Sequence, residues 1–172
     1  MKQIFMFVPK SNKTLWIFKS KINDKTRISI CLKKLDKLHS IVRDYDSFEA
    51  FGLWYFQAQI SQSMLFFKRE SDRMKKLIKA KTKSDVTYVG DCGVQYELSL
   101  NSTLSASFYE LLQLFDDLMC LSKTCFDLKI FEEKKLIYRK IEHYKKCIKM
   151  IIHNVCQYKI SNNTKIKEVA HV

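Results

Sequence analysis

Three glycines and a single proline, Pro9, in 172 residues leave little material for tight turns. That scarcity argues against a turn-rich all-β fold and against Gly-rich phosphate loops, and it favours long helices with few connections. No window reaches the roughly 18 apolar residues a membrane span needs. The Ile4–Val8 run is too short for a signal core and is cut by Pro9 and Lys10. Without a signal to an oxidising compartment, Cys31, Cys92, Cys120, Cys125, Cys147 and Cys156 read as reduced thiols of a cytoplasmic protein, most of them on apolar helix faces. The signatures of catalysis are missing as well: no G-x-S-x-G, no P-loop, no H-E-x-x-H and no C-x-x-C pair. The late cluster His143, Cys147, His153 and Cys156 does not replace them. On one helix Cys156 lies about 180° around from Cys147 and His153 about 80° from His143, so the four cannot meet one ion. No enzyme, cofactor or small-molecule substrate is expected; the alternative is a hydrolase or nuclease whose site is assembled from residues far apart in sequence.

What is present is positive charge and apolar periodicity. Lys and Arg number 31 against 18 Asp and Glu, a formal charge of +13 that attracts nucleic acid, anionic lipid or an acidic protein. Only five of the 31 are arginines, a balance that a Lys-, Ile-, Phe- and Tyr-rich genome composition also yields without a nucleic-acid role. Hydrophobic residues at 47% are enough for a real core.

Periodicity predicts a mostly α protein: a bundle of about four helices, two of them long, with a small β element. The short runs 3–8 and 14–18 could pair as an N-terminal hairpin. A helix follows over about 26–43 on Ile28, Cys31, Leu32, Leu35 and Leu38, with Lys33, Lys34 and Lys37 off the stripe. His39, Asp36 and Arg43 read as its solvated polar face. Residues 44–47 break it, and Asp46 three residues before Glu49 matches a capping box. The next helix runs over about 47–81, with Phe51, Trp54, Tyr55, Ala58, Ser61, Met64, Phe67, Met74, Leu77 and Ile78 as its buried stripe. Strands at 86–89 and 94–100 flank Gly90 and Gly93, the second alternating Val94, Tyr96, Leu98 and Leu100 against Gln95, Glu97 and Ser99. A helix over about 104–122 carries Asp116 and Asp117 as a surface pair. After a link at 124–127, a last helix reaches about 158. Residues 1–160 form a single domain, and 161–172 a frayed polar tail.

The best local candidate for function is the stretch 68–83, with eight basic residues and two acids, Glu70 and Asp72. Met64, Phe67, Ser71, Met74 and Ile78 share one face, while Lys68, Arg69, Arg73, Lys75, Lys76 and Lys79 cover the other. Such a face can neutralise phosphates of DNA, or of RNA, without reading bases. A solvated face of a Lys-rich protein is the competing explanation.

The order of elements, the segment Asp44-Tyr45-Asp46-Ser47-Phe48-Glu49-Ala50-Phe51-Gly52-Leu53-Trp54 and the segment Leu111-Leu112-Gln113-Leu114-Phe115-Asp116-Asp117-Leu118 together carry a resemblance. Over roughly residues 14–158 the chain resembles the AcaB-like transcriptional regulators and related proteins of conjugative plasmids and integrative conjugative elements. The resemblance implies DNA binding in transcription regulation, and a C-terminal half similar to ribbon–helix–helix proteins, in which strands of two subunits pair and enter the major groove. It would make residues 94–100 the ribbon of a homodimer and Gln95, Glu97 and Ser99 its groove-facing side chains. No Lys or Arg shares that face, so Glu97 would have to accept from a cytosine amine. The same strand could instead close a hairpin with 86–89. A protein-interaction or scaffold bundle without nucleic-acid binding is the alternative function.

Overall fold

A computed structural model describes residues 3–44, 49–85, 90 and 92–160 of the chain. In order, the elements are β1 (Gln3–Phe7), α1 (Asn12–Phe18), β2 (Lys21–Ile22), β3 (Lys25–Thr26), α2 (Arg27–Asp44), α3 (Glu49–Thr82), β4 (Tyr96–Leu100), α4 (Thr103–Asp127) and α5 (Lys134–Gln157). The four long helices pack on one another, and α1 rests against α2 and α4. The mostly α bundle with a small β element is therefore the observed architecture. Their apolar stripes converge: Leu35 of α2, Phe67 of α3, Phe108, Leu112 and Phe115 of α4 and Ile148 of α5 are fully buried. Burying each such side chain contributes about 1.5–3 kcal/mol, which outweighs the modest intrinsic helix preference of β-branched and aromatic residues.

The N-terminal hairpin is the first correction. Residues 14–18 are helical, not extended, because Ser11 caps α1 by accepting from the Lys13 N–H at 3.2 Å and the turn buries Thr14, Ile17 and Phe18 together. β1 pairs instead with β4, antiparallel, with Phe5 opposite Leu98 and Phe7 opposite Tyr96. A strand at 3–7 finds its partner almost a hundred residues away because Phe7 stacks on Phe18 at 5.0 Å and Phe18 on Tyr96 at 4.4 Å, a three-ring contact that no local hairpin offers. A small hairpin that periodicity did not suggest joins β2 to β3. Its turn residues Asn23 and Asp24 have φ of 48° and 64°, the left-handed pair that a two-residue hairpin needs.

Other boundaries shift less. Residues 124–127 complete α4, and the link to α5 is 128–133. α4 starts at a Ser102–Ser105 capping box. Residues 45–48 of the expected break, with Asp46 of its box, the strand at 86–89 and the tail at 161–172 fall outside the described residues, while Asp44 still belongs to α2 and Glu49 opens α3. The stripe of α3 is also corrected at its first half. Phe51, Trp54 and Tyr55 are 71, 63 and 53% exposed, and Phe56 and Ile60 take the buried positions.

Two polar clusters place the connections. Asp36 of α2 accepts from the Asn101 N–H at 3.2 Å and the Ser102 hydroxyl at 2.7 Å, and His39 Nε2 meets Thr103 Oγ1 at 3.2 Å. The polar face of α2 is thus the clamp on the β4–α4 turn. Asp116, far from being a surface residue, is 3% exposed and accepts the N–H groups of Lys10 and Ser11 at 2.9 and 3.0 Å. It holds the β1–α1 turn, whereas Asp117 stays outside and pairs with Lys10 Nζ at 3.0 Å.

Candidate nucleic-acid interface

The second half of α3 turns a cationic face to solvent. Phe67, Ser71, Met74 and Ile78 are buried against the bundle, so helical geometry sends Lys68, Arg69, Arg73, Lys75, Lys76 and Lys79 outward, and all six are exposed. Lys68 lies 3.9 Å from Glu110 and Lys79 3.7 Å from Asp85, solvent-exposed pairs worth little. Among the described residues no carboxylate comes within ion-pair distance of Arg69, Arg73, Lys75 or Lys76. The helix continues to Thr82, after which Lys83 adopts a left-handed φ of 61° and its N–H closes the last turn on Lys79 O at 2.8 Å.

Of the two acids that interrupt this stretch, the structure removes one. Glu70 is 9% exposed and points inward, where Lys140 Nζ lies at 3.3 Å and the Tyr144 hydroxyl donates to the same oxygen. Burial by itself pushes the Glu70 carboxyl up, but the hydrogen bond from Tyr144 and the charge and hydrogen bond of Lys140, with Arg73 nearby, leave it below its ordinary value. Burial, and then the bond to Glu70, push the Tyr144 phenol the other way, so it stays a donor. Asp72 is left as the one acid on the outward face between Lys68 and Lys83. The cluster Glu70, Lys140 and Tyr144 also explains why Lys140 of α5 is not a free surface cation.

The strand face is chemically different. β4 begins at Tyr96, so Gln95 precedes it as exposed chain. Glu97 faces outward opposite Met6, and Ser99 opposite Ile4, its hydroxyl accepting from Asn101 Nδ2 at 3.3 Å. Ile4 and Met6 are each 53% exposed, so this face is apolar with one carboxylate. The structure does not join it to the α3 cations: β4 packs on β1 and α2, and α3 packs chiefly on α4. One edge of β4 is taken by β1 of the same chain, so a ribbon with a second chain would have to use the other edge.

Several side chains elsewhere hold structure. Burial pushes the thiols of Cys120 and Cys125 up to about 12 and about 11, which makes them poor nucleophiles. Lys34, expected as an outward cation, donates to the carbonyls of Cys156 and Tyr158 (the latter at 3.0 Å) and so closes the C-terminal end of α5. Sequence reasoning placed Phe51, Trp54 and Tyr55 in the buried stripe, and the structure turns all three to solvent.

No family model matches the chain, and no curated protein matches it by sequence. Among solved structures it is similar to a crystal structure of selenomethionine-containing AcaB from uropathogenic E. coli, with a TM-score of 0.69 and 17% identity over 90% of this chain and 76% of that one. The chain has an AcaB-like fold. At that identity the likeness is one of architecture. No helix among the described residues is long and apolar enough to cross a membrane.

Proposed function

We propose that this protein is a DNA-binding or accessory regulatory protein of a conjugative element, and that it grips the phosphate backbone through the outward face of α3. The observation that carries this reading is the row Arg69, Arg73 and Lys76, exposed, with no carboxylate within ion-pair distance among the described residues, and on a helix whose opposite face is locked into the core. Guanidinium groups suit phosphate geometry, and a packed helix fixes the backbone that carries them, so only side-chain freedom is lost on binding. The AcaB-like fold supports the regulatory part of the reading. Gln95, Glu97 and Ser99 stand aside from the contact, since the face they share with Ile4 and Met6 offers phosphate no cation.

Binding of this kind releases counterions, so its affinity for random duplex DNA falls steeply as salt rises. Fluorescence anisotropy with a labelled duplex at several salt concentrations tests it. Absence of binding even at low salt removes the proposal.

The second reading, a protein-interaction bundle, draws on the exposed Phe51, Trp54 and Tyr55, with Phe51 and Trp54 rings 6.2 Å apart. Aromatic residues clustered in the open are the chemistry of a protein contact. If the protein forms a homodimer, this face and not the strand edge is where the subunits meet, and light scattering of Trp54→Ala against the parent protein reads it out.

A further inference from the structure

Away from α3, the short helix α1 and the last turns of α5 enclose a groove of about 570 Å³ lined by Trp16, Ile17, Lys19, Ser20, Arg27, Lys149, Ile152 and His153. Ile17 and Ile152 are its buried floor, and Trp16 its wall, 62% exposed. Two ammonium groups already sit on the indole: Lys149 Nζ is 4.8 Å and Lys145 Nζ 5.6 Å from the ring centroid. Lys145 is also held by Glu142 at 2.8 Å, whereas Lys149 has no ion-pair partner among the described residues. Arg27 sits at the start of α2 with its Nε enclosed by protein and without a hydrogen-bond acceptor. Among the described residues no Asp or Glu lines the groove. A donor of this kind is satisfied by water or by a ligand's acceptor, and the guanidinium has no carboxylate partner among the described residues.

We infer that this groove is a nucleotide-binding site, in which a base stacks on Trp16 in place of the ammonium groups of Lys145 and Lys149, and its phosphate is taken by Arg27, Lys19 and the displaced Lys149. The volume is that of a small-molecule pocket, the apolar floor and the indole accept a planar ring, and the cations at its rim accept the anion. Inorganic anions would use the cations alone and an aliphatic acid would leave the indole idle, so an aromatic phosphate ester is the ligand that uses the whole lining. It can arrive as a free nucleotide or as an unstacked residue of a single strand; the chemistry at the groove is the same. This site is separate from the duplex contact on α3 and does not rest on it.

The full-length protein carrying Trp54→Phe has Trp16 as its single tryptophan, which makes indole emission the readout. Thymidine monophosphate and an oligothymidylate are the probes, with inorganic phosphate and polyglutamate as controls. Saturable quenching by the oligothymidylate alone assigns the site to a single strand, and quenching by both probes assigns it to nucleotides in general; each supports the inference. Lys149→Gln and Arg27→Gln should each weaken the probe about tenfold, and Trp16→Ala, followed by anisotropy of a labelled oligothymidylate, at least as much. Should Arg27→Gln unfold, Lys149→Gln, on an exposed side chain, carries the test. No quenching, or quenching by phosphate or polyglutamate equal to that by the nucleotide probes, overturns the inference. Replacement of Arg69, Arg73 and Lys76 should leave this quenching intact. Loss of duplex binding with retained quenching therefore separates the two sites, and joint loss of both in every variant overturns the groove as a site of its own.

Discussion

Along α3, Phe56 and Ile60 in the first half and Phe67, Met74 and Ile78 in the second lie on one face, none more than 2% exposed, yet the outward faces of the two halves have nothing in common. The first half shows Phe51, Trp54 and Tyr55 to solvent, and the second shows six cations. The buried stripe is what fixes the helix in the bundle, and it leaves the outer face free to take two separate tasks. Hydrophobicity and burial therefore come apart within a single helix. The sharpest way to expose that difference is to truncate one aromatic from each side. Phe67→Ala, which empties the space where its ring approaches Phe115 at 5.9 Å, should cost about 3–5 kcal/mol of stability. Trp54→Ala, a larger truncation, should stay within about 0.5 kcal/mol. Urea denaturation of both variants decides it, and equal losses would mean that Trp54 is buried in solution by a partner surface.

Periodicity carried the second half of α3 and failed in the first for a physical reason. Counting back from Phe67 at helical spacing reaches Ile60 and Phe56, but Phe51, Trp54 and Tyr55 form an apolar arc of about 100° of their own on the opposite side. A stripe cannot be told from its opposite face where both are apolar. The same limit explains β1 and α1. Alternation and helical spacing are local signals, while the partner of β1 is chosen by Phe18 and Tyr96, contacts of long sequence separation. Asp116 and Asp36 were legible as acids but not as clamps, because the N–H groups they accept belong to turns 65 or more residues away. The exposed cations on α3, by contrast, follow directly from the positions of Phe67, Ser71, Met74 and Ile78.

That basic half offers the next effect in size. Arg69→Glu, Arg73→Glu and Lys76→Glu together should weaken duplex binding on the order of a hundredfold, equal to about 2.7 kcal/mol, and equally for all sequences. The three glutamines in their place should flatten the salt slope by about one unit per lost contact. A control triple on α5 at Lys134, Lys140 and Lys145 is confounded, since Lys140 holds Glu70 and Lys145 is held by Glu142. Lys134, Lys135 and Lys146 make the cleaner comparison and should matter less. Equal losses from both triples, read by anisotropy at low salt, would reduce the α3 face to part of a diffuse field.

Beneath the same face, Glu70 gives a smaller effect with a definite pH sign. Its folded-state carboxyl titrates below the ordinary value, so its contribution is present above the unfolded value of about 4.3 and is lost as pH falls through the folded one. Glu70→Gln keeps an acceptor for Tyr144 but gives up the charge that faces Lys140. We expect a loss of about 1–3 kcal/mol at pH 7 that shrinks as the parent protein is taken below pH 4. Denaturation midpoints of parent and variant that run parallel from pH 7 to pH 3 would show that the pair contributes nothing through its charge.

The smallest effect belongs to the aromatic half and asks how that half is tied down. Gly52 lies buried in the first turn of α3, and a methyl group there would collide with the hydroxyl end of Tyr158, just beyond α5. Alanine inside a helix is worth about 1 kcal/mol over glycine, so Gly52→Ala should stabilise α3 if nothing stood in the way. The obstacle is the far end of a side chain and not backbone, so it can swing aside. The swing breaks the edge-on contact of Tyr158 with Phe56 at 5.3 Å, a pair worth about 0.5–1.5 kcal/mol. The two effects oppose each other at nearly the same size, and the net change should fall within about 0.5 kcal/mol of zero. In a Tyr158→Ala background the collision is gone, and the same Gly52→Ala change should then stabilise by close to the full helical preference. A double-mutant cycle in urea measures the difference. If Gly52→Ala gives the same change in both backgrounds, Tyr158 does not press on α3, and the first half of the helix is held by Phe56 and Ile60 alone.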